Sequence, residues 1–181
     1  MTTLFTIGHS TRPLDELLAL LRAHDIERVV DVRRFPGSRK HPQFNRASLA
    51  AALAAAGIEY VHEEALGGRR AVVAGSPNTA WRNRSFQAYA DHMTSAEFRA
   101  ALARLESGAA RRRSAVMCAE AVPWRCHRRL IADVLVAHGV DVRHIIDATR
   151  LQPHELHAAA RRRPDGTLVY PDSGDQLELT D

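Results

Sequence analysis

The residues best suited to chemistry concentrate between positions 114 and 135, in the stretch SAVMCAEAVPWRCHRRLIADVL. This segment holds the only two cysteines of the 181-residue chain, Cys118 and Cys126, with Glu120, His127 and Arg128 beside them. Thiolates are nucleophiles and metal ligands, carboxylates and imidazoles transfer protons, and guanidinium groups bind phosphate or carboxylate anions. The segment therefore predicts a reactive site, and it leaves the identity of the substrate open.

Two predicted elements position these side chains. SAVMCAE is typical of a strand, whose side chains alternate between two faces, so Cys118 and Glu120 point the same way near the strand end. RCHRRLIADVLVAHG is typical of a helix, and Cys126, His127 and Arg128 fall in about its first turn. Free backbone N–H groups and the helix dipole favour an anion there and lower the pKa of a thiol. We predict that Cys126 is the more reactive thiol and that Cys118 mainly packs in the core.

Three interpretations of the cysteines are open. Enzymes that pair a nucleophilic cysteine at a strand end with an arginine at the next helix start have one residue fewer between the two than the six that separate Cys118 from Arg125. A second interpretation is a soft metal site, although the spacing lacks the C-x2-C knuckle common in zinc sites, and we assign no metal. Its ligands would be Cys118, Cys126, His127 and either His9 or His62. The third interpretation is plain packing of two small side chains.

The elements that must hold this site follow from hydrophobic periodicity. Runs typical of strands cover residues 4–7, 28–33, 59–63, 114–120 and 141–146. Helical patterns separate them, which favours parallel βαβ units. We therefore predict a single three-layer α/β domain over residues 1–181, with a mainly parallel five-stranded sheet and helices on both faces. Residues 151–181 are predicted to form a C-terminal extension, with a short helix followed by a strand or a hairpin around Asp165 and Gly166.

In parallel sheets, ligands bind outside the carboxyl ends of the strands. Four residues at those ends are predicted to be catalytic: His9, Asp31, Cys118 and Glu120. Asp31 or Glu120 would act as general acid or base, facing each other across neighbouring strands, with His9 as the proton partner. The residues predicted to bind the substrate in the same pocket are Gly8, Ser10, Arg33, Ser38, Arg39, Gly67, Gly68, Arg69, Arg125, Cys126, His127 and Arg128.

Basic residues gather at the same edge. The chain has 25 Lys and Arg residues against 21 Asp and Glu residues, and Lys40 is its only lysine. This arginine and alanine bias weakens any argument for nucleic acid from overall charge, so position matters more than number. Loops that converge on the edge contain Arg33, Arg34, Arg39, Lys40, Arg69, Arg70, Arg82, Arg84, Arg125, Arg128 and Arg129, which favours an anionic ligand. The polar stretch 66–84 is predicted to be a mobile cover whose Gly67 and Gly68 supply backbone freedom.

Localisation is predicted from what the chain lacks. Two cysteines argue against a disulfide framework and leave a single disulfide open. No apolar run approaches the ~20 residues of a membrane span, and residues 1–10 enter a strand pattern without a charged and then apolar leader. We expect a cytoplasmic protein that does not bind membranes. Its cofactors and oligomeric state are not predicted.

Several long motifs together resemble the bacterial Domain of Unknown Function 488 family, over nearly the whole chain. They are TIGHST, DVRRFPGSRKHPQFN, AAGIEYVHEEALGGRR, WRNRSFQAYADHM, MCAEAVPWRCHRRLIADVL and VRHI. The resemblance implies a compact cytosolic α/β domain and marks the same loop residues at the sheet edge. It supplies no established reaction.

The leading functional prediction is an enzyme acting on a phosphate-bearing or nucleic-acid-related substrate, as a hydrolase or transferase with carboxylate and histidine acid–base chemistry. Its partner would be an anionic small molecule or a nucleic acid. The alternative is a non-catalytic nucleic-acid or nucleotide binding module that uses the same basic loops. The metal-binding Cys/His site is the second alternative.

Overall fold

The computed structural model describes residues 2–172. The helices are α1 Leu14–Ala23, α2 Arg46–Ala55, α3 Arg84–His92, α4 Ala96–Ala109 and α5 Arg128–Ala137. The strands are β1 Thr3–Gly8, β2 Arg28–Asp31, β3 Glu59–His62, β4 Ser114–Cys118, β5 Asp141–Ile145, β6 Leu151–Pro153, β7 Arg161–Arg162 and β8 Leu168–Val169. Short 3-10 turns lie at Pro42–Phe44, Glu64–Leu66 and Pro123–Arg125.

The main sheet has six strands in the order β3-β2-β4-β1-β5-β6. The first five are parallel, and β6 runs antiparallel to β5 at the edge, with Ile145 opposite Leu151. The predicted α/β fold is confirmed, but the sheet is mixed because of this additional strand. Asp147 causes the reversal, since its carboxylate accepts bonds from the backbone amides of Thr149 and Arg150 and closes a turn too short for a parallel crossover.

Two hydrophobic layers cover the sheet. Strand residues alternate between them, so that Val116 packs against α4 and α5, while its neighbours Ala115 and Met117 pack against α1 and α2. Helices α3 and α4 are separate elements, because the Ser95 side chain accepts the Phe98 amide at 3.1 Å and caps α4. Helices therefore lie on both faces of the sheet.

The C-terminal segment packs on α5 through one buried carboxylate. Asp133 accepts bonds from His154 Nε2 at 2.7 Å, from the His157 backbone N–H at 3.1 Å and from the Tyr170 hydroxyl at 2.9 Å. The prediction of a short helix in this segment is wrong, because residues 154–160 are non-helical. Their backbone N–H groups donate instead to Asp133 and to side chains in local turns. The predicted hairpin is confirmed as β7–β8, with Gly166 in the turn at φ +84°.

The connections create a crevice where β1 and β4 lie side by side. Gly8 at the end of β1 pairs in register with Cys118 at the end of β4. The chain leaves β1 for α1 on one face of the sheet and leaves β4 for α5 on the other face. Neighbouring strands whose connections diverge in this way form a topological switch point, which is where open α/β sheets bind ligands. Within residues 2–172, no helix is long and apolar enough to cross a membrane.

Candidate functional site

A pocket of about 770 Å³ opens at this switch point. Eleven of the sixteen predicted site residues line it: His9, Ser10, Arg33, Ser38, Gly68, Arg69, Cys118, Glu120, Arg125, Cys126 and His127. His9 and Glu120 lie at the same end of the sheet, as the sequence predicted. The five that do not line the pocket are Gly8, Asp31, Arg39, Gly67 and Arg128.

Cys118 lies on the pocket floor, where its thiol meets a thiol and a guanidinium. Its Sγ is 2.7 Å from Cys126 Sγ and accepts a bond from Arg128 Nη1 at 3.0 Å. Burial opposes ionisation, but the hydrogen bond from Cys126 and the charge of Arg128 outweigh it and lower the pKa of Cys118 to about 7. The Cys126 thiol is held in its neutral form, because burial and its bond to Cys118 raise its pKa well above the ordinary value.

This arrangement reverses the prediction for the two cysteines. Helix α5 begins at Arg128 with His127 as its N-cap residue, so Cys126 lies before the helix in an extended conformation, φ −125° and ψ 146°. Cys126 therefore does not occupy the first turn, and the Arg128 side chain contacts Cys118 instead. The assignment of Cys126 as the low-pKa thiol is wrong for this reason.

Arg128 is almost completely enclosed, with 1% of its surface exposed. Its Nη1 donates to Cys118 Sγ and to the Glu120 carbonyl at 2.8 Å, and its Nη2 donates to the Ala121 carbonyl at 2.7 Å. Its Nε has no partner in the described chain, and no carboxylate of residues 2–172 forms an ion pair with it. Because an enclosed charge is costly without a counter-ion, the Cys118 thiolate is the natural partner of this guanidinium. Arg128 lies beneath the pocket and does not line it, and its predicted role in binding the substrate stays a prediction.

Gly8 makes this packing possible. A Cβ atom at Gly8 would overlap the carbonyl oxygen of Glu120 and lie 2.8 Å from Arg128 Nη1. The glycine therefore lets the loop after β4 cross close over the end of β1. Gly8 lies under that loop and does not line the pocket, and its predicted contact with a substrate stays a prediction.

Asp31 is fully buried behind the pocket wall, where it binds the Arg33 side chain. Its two oxygens accept bonds from Arg33 Nε at 2.9 Å and Nη2 at 2.6 Å, and the Tyr60 hydroxyl donates to it at 2.8 Å. Asp31 pairs in register with Met117, whereas Glu120 lies two residues beyond the end of β4 and is exposed, so the predicted opposition of the two carboxylates is wrong. Asp31 instead fixes the guanidinium of Arg33 in the pocket wall.

His9 completes the buried group around Arg33. Its Nδ1 donates to the Ser10 carbonyl at 2.9 Å, and its ring stacks on Phe44 with centroids 4.2 Å apart. Nε2 faces Arg33 Nη1 at 3.3 Å and accepts from it. Burial first, and then the charge of Arg33, lower the pKa of His9 to about 4. His9 is therefore a neutral hydrogen-bond acceptor near neutral pH.

The pocket walls are two loops that pack closely together. A Cβ atom at Gly67 would lie 2.8 Å from the Arg34 backbone, and one at Gly68 would approach His127 Nδ1 at 3.1 Å. Arg70 donates to the Gly67, Glu64 and Ala65 carbonyls. The two glycines thus permit close approach, and the beginning of the stretch 66–84 is held in place. A mobile cover remains a prediction for the exposed residues 71–75.

The rim carries charge and one aromatic ring. Arg69, Arg125 and Glu120 are exposed where they line the pocket, while Arg39 is exposed outside it. Ser38 lines the pocket and is fixed by its amide, which donates to Asn45 Oδ1 at 2.6 Å. The sequence prediction missed Phe35, which is 60% exposed and lies in the wall. An aromatic residue directly after two arginines in a loop was the signal that could have identified it.

His127 forms part of the enclosing wall. Its Nε2 donates to the Val32 carbonyl at 3.2 Å, and its ring lies 5.0 Å from that of Tyr89. Burial lowers the pKa of His127 to about 4, and Arg128 adds to this effect. Tyr89 also lines the pocket and was missed, because its spacing in α3 is that of an ordinary core residue.

The geometry does not support the metal alternative. No group of three or more His, Cys, Asp or Glu side chains within residues 2–172 is placed to hold a metal ion. The histidines proposed as ligands instead have backbone partners: His9 donates to Ser10, His62 to Arg33 and His127 to Val32. Each of these bonds occupies one ring nitrogen, although His127 Nδ1 also lies 3.6 Å from Cys126 Sγ.

Comparison with known proteins gives one result. The model of the family described as Domain of unknown function DUF488 matches residues 13–135, which include both cysteines, Arg33, Arg69 and Arg128. Neither the comparison with curated proteins nor that with solved structures gave a match. The matched span is more than half of the chain, so the resemblance noted in the sequence is confirmed. This protein belongs to the family Domain of unknown function DUF488.

Proposed function

We propose that this protein is an enzyme that uses the thiolate of Cys118 as a nucleophile on an anionic, phosphate-bearing substrate. One observation carries the proposal: an enclosed Arg128 whose one available anionic partner within residues 2–172 is a cysteine on the floor of a pocket. A thiol with a pKa of about 7 is substantially ionised at neutral pH, and the thiolate is the reactive form. This assignment replaces Asp31 as the central catalytic group.

The basic wall supports an anionic substrate. Arg33 is 8% exposed and held by Asp31, so its position is fixed before any ligand arrives. Arg69 and Arg125 add two exposed positive charges to the same lining, against the single carboxylate of Glu120. Guanidinium groups bind phosphate oxygens through charge-assisted hydrogen bonds, and Arg33 can offer a ligand its Nη1 group, since its Nε and Nη2 groups are bonded to Asp31.

Phe35 supports a substrate with a planar ring. The guanidinium carbons of Arg34 and Arg69 lie 5.4 and 6.0 Å from the centre of this ring. Most of the Phe35 side chain is nevertheless exposed to solvent. Aromatic side chains beside arginines bind nucleobases by stacking while the arginines hold the phosphates. The substrate class proposed is therefore a nucleotide or a nucleic-acid end.

The proposed reaction has two displacements. Cys118 Sγ forms a bond to the electrophilic centre of the substrate as the bond to the leaving oxygen breaks, and Glu120 donates the proton that the leaving oxygen takes. Water then attacks the thiol-bound group, Glu120 accepts its proton, and the thiolate is regenerated beside Arg128. His9 holds Arg33 from behind and does not transfer a proton in this scheme. A reducing compartment such as the cytoplasm would keep Cys118 reduced.

A turnover screen tests the proposal. Wild type, Cys118→Ser and the exposed-loop control Val73→Ala would be incubated with nucleotides and with DNA and RNA fragments that end in phosphates, and released products would be measured. Wild type and the Val73 control should turn over at least one substrate, and Cys118→Ser should lose about a thousandfold or more of the rate. Turnover that survives in Cys118→Ser would remove Cys118 as the nucleophile.

A non-catalytic nucleic-acid or nucleotide binding module is the second candidate. The exposed Phe35 favours it, because its ring lies close to Arg34 and Arg69 and suits stacking on a base. Binding that weakens steeply with salt, without turnover of any substrate in the same screen, would select this module over the enzyme.

A further inference from the structure

We propose that Cys118 and Cys126 are a redox couple that closes to a disulfide inside the pocket and switches the site off reversibly. The two Sγ atoms lie 2.7 Å apart, and both thiols are free, buried and part of the pocket lining. They are the only cysteines in the chain, so neither has another partner within the same molecule. The inference rests on the proposed function in one respect, because closure consumes the same thiolate.

The backbone around the pair suits closure. Cys118 is fixed at the end of β4, where the His9 amide donates to its carbonyl at 3.0 Å. Cys126 lies between the 3-10 turn Pro123–Arg125 and α5, and its Sγ accepts the Arg128 amide at 3.5 Å. A disulfide has sulfurs about 2.05 Å apart, so the two need to approach by only a fraction of an ångström. The movement that closure requires of the two sulfurs is therefore small.

The two thiols differ in the way that a stepwise oxidation requires. Cys118 is paired with Arg128 and favours the thiolate, whereas Cys126 favours the neutral thiol, since its pKa is raised by burial and by Cys118. A low-pKa thiolate beside a second thiol is the arrangement found in redox-sensing pairs, in which the first is oxidised and the second resolves it. Cys118 is the attacked residue and Cys126 the resolving residue.

The oxidant is a peroxide. The Cys118 thiolate attacks one peroxide oxygen, the O–O bond breaks, and Cys118 becomes a sulfenic acid while the other oxygen leaves and takes a proton from solvent. Cys126 then attacks the Cys118 sulfur, the S–O bond breaks, and the hydroxyl leaves with the Cys126 proton as water. One peroxide is reduced as two thiols are oxidised to one disulfide.

Arg128 favours return to the reduced state. The disulfide is uncharged, so oxidation leaves the enclosed guanidinium with only the Glu120 and Ala121 carbonyls as acceptors. A reduced form that is stabilised by a thiolate pair makes a disulfide more easily reduced. A cellular dithiol is therefore expected to reopen the site.

Mass spectrometry tests the couple without a substrate. Wild type, Cys126→Ser and Cys118→Ser would be treated with hydrogen peroxide, and the remaining thiols would then be alkylated before intact mass and peptide mapping. Wild type should lose two hydrogens, become resistant to alkylation at both positions, and recover fully with a dithiol. Cys126→Ser should accumulate a sulfenic acid at Cys118 that dimedone traps, whereas Cys118→Ser should keep a free Cys126.

The outcomes separate the two proposals. Oxidation of wild-type Cys118 to a sulfinic acid while Cys126 remains alkylatable would overturn the couple and leave the reactive thiolate standing. Oxidation of Cys118 in Cys126→Ser no faster than that of an unfolded control peptide would count against the thiolate and so against the proposed function. The wild-type result decides the couple even if a cysteine variant folds poorly.

Discussion

Replacing Cys118 with serine should change how the stability of the protein depends on pH. The pKa of Cys118 is lowered from 9.0 to about 7 in the folded protein. A lowered pKa means that the unfolded chain binds more protons between these values, so the thiolate adds stability as pH rises through this window and the contribution is lost as pH falls through 7. Serine does not ionise, so the serine variant has no such pH-dependent contribution to its stability.

The size of the effect follows from the window. Each pH unit between the two pKa values corresponds to about 1.4 kcal/mol, which gives about 2 to 3 kcal/mol of extra stability for wild type over Cys118→Ser at pH 9 relative to pH 6. At pH 6 the serine variant should already be less stable by ~1–3 kcal/mol if its buried hydroxyl finds no partner. Arg128→Met should remove the pH-dependent part as well, since it removes the stabilising charge.

Urea unfolding followed by circular dichroism at a series of pH values measures the difference directly. Measurements should stop at about pH 9, because the raised pKa of Cys126 lowers stability above that point. If the difference in unfolding free energy between wild type and Cys118→Ser stays constant from about pH 6 to about pH 9, the pKa of Cys118 is not lowered. That result would mean that Cys118 is a neutral thiol in the folded protein.

Three further predictions concern other parts of the molecule. Glu120→Gln should lower turnover in the substrate screen by about a hundredfold while leaving the urea midpoint unchanged, because Glu120 is exposed, and a variant that unfolds would make Glu120 structural. The fold should lose stability as pH falls from about 6.5 to about 3, because burial and the nearby His154 lower the pKa of His144 to about 3, so the unfolded chain binds more protons in this range. A urea midpoint that is equal at pH 7 and pH 4.5 would contradict this. Phe35→Ala should weaken nucleotide binding about tenfold, and equal loss with a ring-free phosphate ligand would argue against stacking.

The sheet edge was predictable because it depends on local patterns. Apolar runs separated by helical periodicity require parallel strands, and parallel strands bring their carboxyl ends to one edge. His9, Arg33, Cys118 and Glu120 were therefore placed together from the sequence, and the structure brings them to one pocket. The prediction needed no knowledge of side-chain contacts.

What the sequence did not predict depends on contacts between distant residues. The sixth strand and the non-helical C-terminal segment are set by Asp147 and by Asp133, which bonds to Tyr170 37 residues away. Arg28 is 9% exposed and packs on Gly108, where a side chain would overlap it. No periodic pattern encodes such pairings.

The sequence assigned the lower thiol pKa to the wrong cysteine because it misplaced the start of one helix. The helix was predicted to start near Arg125, and it starts at Arg128. A shift of this size is ordinary for predicted helix ends, but here it moves Cys126 out of the first turn and leaves the pKa of Cys118 to be set by Arg128. The pKa values of the two cysteines therefore depend on one helix boundary and one side-chain contact.

The proposed function requires Cys118 to be an ionised, reactive thiol at neutral pH. Alkylation of the wild-type protein with a small reagent such as iodoacetamide, from about pH 5.5 to about pH 9 with peptide mapping, tests it most directly. Cys118 should react faster than Cys126 throughout, with a midpoint near pH 7. Faster modification of Cys126, or a Cys118 midpoint near pH 9, would contradict it.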